Sequence, residues 1–171
     1  MSTLAIPRKP RRPQPDSSAP TESSARRETK RILVADDDNM VRAALAAVLE
    51  SEGYAVDEAG DGINAVKCAI NHPPDLVLLD LNMPHMDGWT AFSRIDHFRP
   101  LVPVIVITAR PHQYDQAVSL GVDAFMEKPL DLSVLLHTIE ILTHESESRH
   151  VRRVTDPEFR TQLLQSGTTT A

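Results

Sequence analysis

Asp80 closes the apolar run Leu76-Val77-Leu78-Leu79, and three further runs of the same kind each end in a residue able to handle a phosphate or a metal ion. Ile32-Leu33-Val34-Ala35 leads into Asp36-Asp37-Asp38, Val104-Ile105-Val106-Ile107 into Thr108, and Ala124-Phe125-Met126-Glu127 into Lys128-Pro129. If the four runs are parallel strands of one sheet, their carboxyl ends share an edge, where open parallel sheets bind ligands. Three consecutive aspartates are by default a solvated turn or a helix cap. Asp80 on the neighbouring strand end changes that, because like charges in a crevice repel unless a cation compensates them. A hard divalent ion, Mg2+ first among them, takes one or two carboxylates, a carbonyl and waters. Lys128 is by default a surface charge, but Pro129 marks a rigid turn of the kind that accommodates a cis peptide, and such a turn would hold the ammonium over the crevice. Metal, ammonium and the Thr108 hydroxyl around one carboxylate suit phosphoryl transfer. Asp80 is then the nucleophile, Asp36 and Asp37 hold the metal, and Thr108 and Lys128 hold phosphoryl oxygens.

The elements that must position these groups alternate along the chain. Strand-like segments are expected at 31–35, 54–58, 76–79, 103–108 and 123–127. Between and after them lie helical patterns: Val41, Ala44, Leu45, Val48 and Leu49, stopped by Gly53; then Ile63, Val66, Ala69 and Ile70, ended by His72-Pro73-Pro74. Further helices are expected at about 88–98, 112–120 and 131–143, the fourth with the thinnest apolar face. Such alternation with short connections predicts an α/β parallel sheet. Right-handed crossovers leave few topologies. The expected fold is flavodoxin-like and doubly wound, five strands in the order 2-1-3-4-5 with helices on both faces. Its switch point between the first and third strands sets Asp36, Asp37 and Asp80 side by side.

The segments ILVADDDNMVR, LVLLDLNMPHMDG, VIVITA and GVDAFMEKPL resemble, in order and spacing, the signature blocks of the receiver domain of two-component response regulators. The resemblance runs over about 31–143 and is closest in kind to stand-alone, chemotaxis-type regulators. It implies that a histidine kinase or histidine phosphotransfer protein phosphorylates Asp80. It also implies Mg2+ ligation by Asp37, Asp80 and the main-chain carbonyl of Asn82, with Asp36 acting mainly through water. Thr108 and Lys128 match the switch hydroxyl and the phosphate-contacting lysine. Ala109 matches a small position that leaves the phosphoryl group accessible, and Phe125 the switch aromatic. A phosphoryl group is expected to draw the Thr108 hydroxyl inward and open space for the Phe125 ring, remodelling the surface of the fourth helix, fifth strand and fifth helix. Asp38 has no evident ligand role, and Arg110 and Pro111 fall where relatives vary and phosphoryl lifetime is set.

Composition bounds the remainder. The 171 residues suffice for one domain with tails, and the 41% hydrophobic content supplies an aliphatic core. Residues 1–30 carry seven Lys/Arg against three acidic groups and five of the thirteen prolines, so a disordered arm is expected there. Residues 31–142 carry seven against seventeen, an acidic domain unlike a general nucleic-acid binder. The lone Cys68 excludes an internal disulfide, reads as a buried small hydrophobe and fits a reducing compartment. With no run near the ~18 apolar residues of a membrane span, a cytoplasmic protein without membrane insertion is expected. The seven histidines show no metal-binding spacing. His85 reads as a surface-loop residue, and Met83, Met86 and Trp89 as packing residues.

Residues 144–171 form a polar tail, expected to be mostly disordered with one short helix within VRRVTDPEFRTQLLQ. That length is too short for an output domain with its own core, so the signal is expected to leave by contact with an unknown downstream protein or by relay. Two other classes compete. An aspartyl-phosphate type Mg-dependent phosphatase shares the nucleophile, but needs an acidic residue two positions after it, where Asn82 stands. An accessory nucleic-acid binder would act through the arginines of 8–12 and 26–31 and bind in a salt-sensitive way.

Overall fold

The structure is a computed structural model that describes residues 29–145, 151, 155–156 and 161–165. Strands and helices alternate as β1 (Arg31–Ala35), α1 (Asn39–Ser51), β2 (Ala55–Ala59), α2 (Gly62–Asn71), β3 (Leu76–Asp80), α3 (Gly88–Phe98), β4 (Val104–Thr108), α4 (Tyr114–Leu120), β5 (Ala124–Glu127) and α5 (Leu132–Thr143). The sheet is parallel, with strand order β2-β1-β3-β4-β5, as expected, and a sixth strand beyond. All five residues of β3 and of β4 are buried. Two helical layers over the middle of the sheet are why these runs carry no polar alternation.

Successive side chains on a strand face opposite ways, and two cores result. Ile32, Val34, Leu76, Leu78, Ile105, Ile107 and Met126 meet Leu45 and Leu49 of α1 and Leu135, Ile139 and Leu142 of α5. Leu33, Val77, Leu79, Val106 and Phe125 meet Ala65, Val66 and Ala69 of α2, Ala91, Phe92 and Ile95 of α3, and Ala117 of α4.

Helix starts follow one rule with one exception. Asp38, Asp61, Asp87 and Asp131 cap α1, α2, α3 and α5, each accepting main-chain N–H groups of the first turn. An aspartate cap contributes about 1 kcal/mol. α4 has Gln113 at its N-cap position, with no side-chain cap bond. It starts two residues later than the sequence pattern suggests because His112 lies at φ 58°, a left-handed conformation no helix continues through. Gly53, at φ 90°, follows the end of α1 as expected of a left-handed stop.

Three expectations about the margins need revision. Order begins before Arg31: the Lys30 carbonyl accepts the Ala55 N–H at 2.8 Å, and its ammonium pairs with Asp75 at 3.0 Å. Cys68 is half-buried at the rim of a core, not inside it. The tail is not only polar coil and helix, since Gln162–Leu164 forms a strand, β6, parallel to β5. Three residues are too few to show periodicity, and the open edge of β5 supplies the partner. Val151 and Thr155 are helical, the Thr155 hydroxyl bonding the Val151 carbonyl at 2.8 Å. The rest of the expected tail helix, and residues 1–28 of the arm, lie outside the described residues. Among the described residues, no helix is long and apolar enough to cross a membrane.

Candidate functional site

Strand register brings the acidic residues level. Ala35 lies opposite Leu79 in the β1–β3 pairing, so Asp36 and Asp80, one step on, leave the sheet side by side. Asp80 pairs with Ile107 and Thr108 with Glu127, which brings Thr108 and Lys128 to the same edge. The Lys128 N–H donates to the Thr108 carbonyl at 2.8 Å, and the Lys128-Pro129 peptide is cis. One carboxylate oxygen each from Asp36, Asp37 and Asp80 falls within 4.8 Å of the others.

The electrostatics of this group are lopsided. Asp36 and Asp80 are buried and Asp37 is exposed. Asp36 is fully engaged: Oδ1 accepts the Asp38 N–H at 2.9 Å and Oδ2 accepts Lys128 Nζ at 2.8 Å. Asp80 Oδ1 accepts the Leu81 N–H at 2.9 Å, leaving Oδ2 facing the ammonium at 3.8 Å. Asp37 makes no hydrogen bond among the described residues. Burial pushes the Asp80 carboxyl above its ordinary 3.8; Lys128 pulls it down and Asp36 adds to the rise. Burial alone would lower the Lys128 pKa, but the Asp36 hydrogen bond and the charges of Asp80, Asp36 and Asp37 hold it above 10.5. Three carboxylates against one ammonium leave two negative charges uncompensated, which is what a hard divalent cation with oxygen ligands offsets. The donor set fits Mg2+.

Several residues frame the site through contacts that were not expected from sequence. Asp38 is the α1 cap, accepting Met40 N at 2.8 Å and Val41 N at 3.3 Å; an aspartate just before an apolar helical pattern is the signal that identifies it. Arg42 donates to the Asp36 carbonyl at 2.7 Å and to Glu58 at 3.1 Å, pinning the acidic loop to the end of β2. Gly88 lets α3 approach so closely that a Cβ there would overlap the Asp80 carbonyl oxygen and Leu81 Cα. Arg110 reaches across the mouth, Nε and Nη2 donating to the Asn82 side-chain oxygen at 3.0 and 2.7 Å. Nothing local in the sequence announces those last contacts.

Thr108 is fully buried, and its hydroxyl oxygen accepts the Arg110 N–H at 3.0 Å. Ala109 is exposed at the rim. The Phe125 ring is fully buried, with the Tyr114 ring edge-on at 5.9 Å. Tyr114, the first residue of α4, covers it on the helix side. Trp89 donates its indole N–H to Gln113 at 3.1 Å, and Met83 is buried, in keeping with packing roles. His85 is an exposed loop residue at φ 64°. A second mixed group, Asp57, Cys68 and His72, gathers its donor atoms within 4.8 Å, although their sequence spacing gave no hint of it. There Asp57 is already paired with Arg31 at 3.0 Å.

The profile of the response regulator receiver domain matches residues 32–140. The transcriptional regulatory protein PdtaR of Mycobacterium tuberculosis is 39% identical over 127 residues, covering 72% of this chain and 62% of its own length. The chain therefore spans less than two thirds of that relative. Among solved structures, the response regulator protein TrrA of Thermotoga maritima, in complex with Mg2+-BeF, superposes with a TM-score of 0.63 at 32% identity, covering 67% of this chain and 99% of that one. The receiver domain of the sensor histidine kinase PA1611 of Pseudomonas aeruginosa, with magnesium in its active-site cleft, gives 0.63 at 28% identity over 68% and 99%.

Proposed function

The chain belongs to the response regulator receiver family, and on that footing we propose that it takes a phosphoryl group onto Asp80 from a histidine kinase or histidine phosphotransfer protein. It then signals by a conformational change or passes the group on. The observation that carries this reading is the meeting of Asp36, Asp37 and Asp80 with Lys128 at one sheet edge. Asp80 Oδ2 attacks the phosphorus, the new O–P bond forming as the P–N bond to the donor imidazole breaks and that nitrogen keeps the electron pair. Asp80 Oδ1 stays bound to the Leu81 N–H, which fixes the rotamer and aims Oδ2 outward. Mg2+, held by Asp37, Asp80 and the Asn82 main-chain carbonyl with Asp36 acting through water, would neutralise charge as the dianion approaches. Lys128 turns from Asp36 toward the phosphoryl oxygens, and Thr108 gives up its Arg110 contact to donate its hydroxyl. Exposed Ala109 leaves the group open to water or to a partner's histidine.

The same reading makes residues 31–143 the receiver, with flanking segments 1–30 and 144–171, in a cytoplasmic setting where kinases donate. Asn82, clasped by Arg110, offers no acid for a phosphatase. The test is direct. Acetyl phosphate with Mg2+ should add one acid-stable, base-labile phosphoryl group to the wild type and none to Asp80→Asn; equal labelling of both overturns the assignment.

A further inference from the structure

The chain's own C-terminal segment closes the far edge of the sheet. β6 runs parallel to β5 with Gln162 opposite Ala124 and Leu163 opposite Phe125, and the Gln162 N–H donates to the Asp123 carbonyl at 3.0 Å. Thr161, just before it, is 4% exposed. Its hydroxyl donates to the Ala117 carbonyl at 3.4 Å, and its carbonyl accepts the Tyr114 hydroxyl at 3.0 Å. Leu164 is equally buried and joins the core on the opposite face of the sheet. Thus the segment is clamped on α4 at one end and seated beside α5 at the other.

What it clamps is weakly held otherwise. α4 has seven residues, no side-chain cap, and Ala117 as its one buried residue. Its first residue, Tyr114, covers Phe125 and is tethered to Thr161. The path from the acceptor is short. Thr108 holds the Arg110 N–H, and Arg110 runs through three residues into Tyr114. If a phosphoryl group claims the Thr108 hydroxyl, that loop loses its anchor, and any shift of Tyr114 loads its bond to the tail.

We infer that Thr161–Leu164 is a built-in occupant of the α4–β5 surface that opposes phosphorylation of Asp80 and is displaced by it. The vacated edge would then accept an extended segment of a partner protein that pairs with β5 and sets an aliphatic side chain where Leu164 sat. This rests on Asp80 being the acceptor. The partner chemistry follows from the present occupant: main-chain groups for the Phe125 edge and one apolar residue for the pocket. Two sites that bias one movable element are coupled reciprocally. Freeing the tail must therefore tighten the phosphoryl site by the same factor that phosphorylation loosens the tail.

The experiment is a calorimetric titration of the full chain with beryllofluoride, a mimic of the aspartyl phosphate, at saturating Mg2+. Wild type is compared with Leu164→Asp, which unseats β6, and Tyr114→Phe, which keeps the ring on Phe125 and deletes only the hydroxyl. Beryllofluoride affinity should rise about fivefold or more in Leu164→Asp and by a smaller factor in Tyr114→Phe. In the wild type, beryllofluoride should also speed hydrogen exchange at Gln162–Leu164. Unchanged or weakened affinity in both variants, with wild-type binding intact, overturns the inference and leaves Asp80 as acceptor. No beryllofluoride binding by the wild type overturns the acceptor assignment and the inference with it.

Discussion

Lys128 Nζ rests 2.8 Å from Asp36 Oδ2, closer than its 3.8 Å to Asp80 Oδ2, the oxygen proposed to receive the phosphoryl group. The ammonium thus rests on the carboxylate that is not the proposed acceptor, a short distance from the one that is. Its effect on Asp80 is still felt, because it opposes the burial that raises that carboxyl.

A pH prediction follows with its sign. Asp80 must be ionised to attack, and its pKa lies above 3.8, so the acetyl phosphate labelling rate should begin to fall at a higher pH than an exposed aspartate would give. Lys128→Gln removes the lowering influence and should move that midpoint further up. For stability, a raised carboxyl contributes most when protonated, and the contribution is lost as pH rises through the folded pKa. Asp80→Asn should therefore melt higher than wild type at pH 7 and lose that advantage in acid. Carbon NMR of the Asp80 carboxyl checks the order; a wild-type midpoint below 3.8 would contradict it.

Adjacent aspartates should separate into two roles. Asp38→Ala removes the α1 cap and should cost about 1 kcal/mol of stability while retaining most Mg2+ affinity. Asp37→Ala should leave the melting temperature nearly unchanged and weaken Mg2+ binding about tenfold or more. Calorimetric Mg2+ titration and thermal melts on the pair decide it, and the reverse pattern would mean the metal ligand is Asp38.

Gly88 gives a steric prediction. Gly88→Ala sets a methyl against the Asp80 carbonyl and Leu81, and overpacking of this kind costs about 1–3 kcal/mol. Labelling should slow as well, since the strand end carrying Asp80 must give way. Gly53→Ala is the control: it strains a left-handed residue that has open space around it and lies at the opposite end of α1 from the acidic loop. It should lower stability and leave labelling rates alone.

Thr108→Ala should still be labelled on Asp80, because in the proposed switch the hydroxyl reads the phosphoryl group and does not transfer it. The response should be lost: beryllofluoride should alter hydrogen exchange across 110–120 in the wild type and leave it unaltered in the variant. Equal changes in both would remove Thr108 from the switch.

The candidate site's edge was legible because its residues end apolar runs, and an apolar run of strand length is a strong signal even without alternation. Asp80, Thr108 and Lys128 could be placed at one edge from the sequence, and handedness narrowed the strand orders to a few that include the observed one. What escaped was of two kinds. Asp38 carried a local signal, a cap before a helical pattern, that its two acidic neighbours overshadowed. Gly88, Arg42, Arg110 and β6 carried none, because their meaning lies in partners that folding brings near: the Asp80 carbonyl, Glu58, Asn82 and the edge of β5. The Tyr114 cover on Phe125 belongs with these. Whether a ring on β5 has room to swing depends on where Tyr114 of another element lies.

The level placement of Asp36 and Asp80 has a kinetic side. β1 and β3 are neighbours in the sheet, yet a whole strand–helix pair lies between them in the chain, so the register that aligns Ala35 with Leu79 is a non-local pairing. Such contacts form late, since the loop entropy must be spent before they return anything. A nascent or partly unravelled molecule has the four aspartates of the two loops but no shared edge on which to hold them. On the proposed acceptor role, the ability to take a phosphoryl group would then arrive only with the finished sheet, and an immature chain would not compete for the donor.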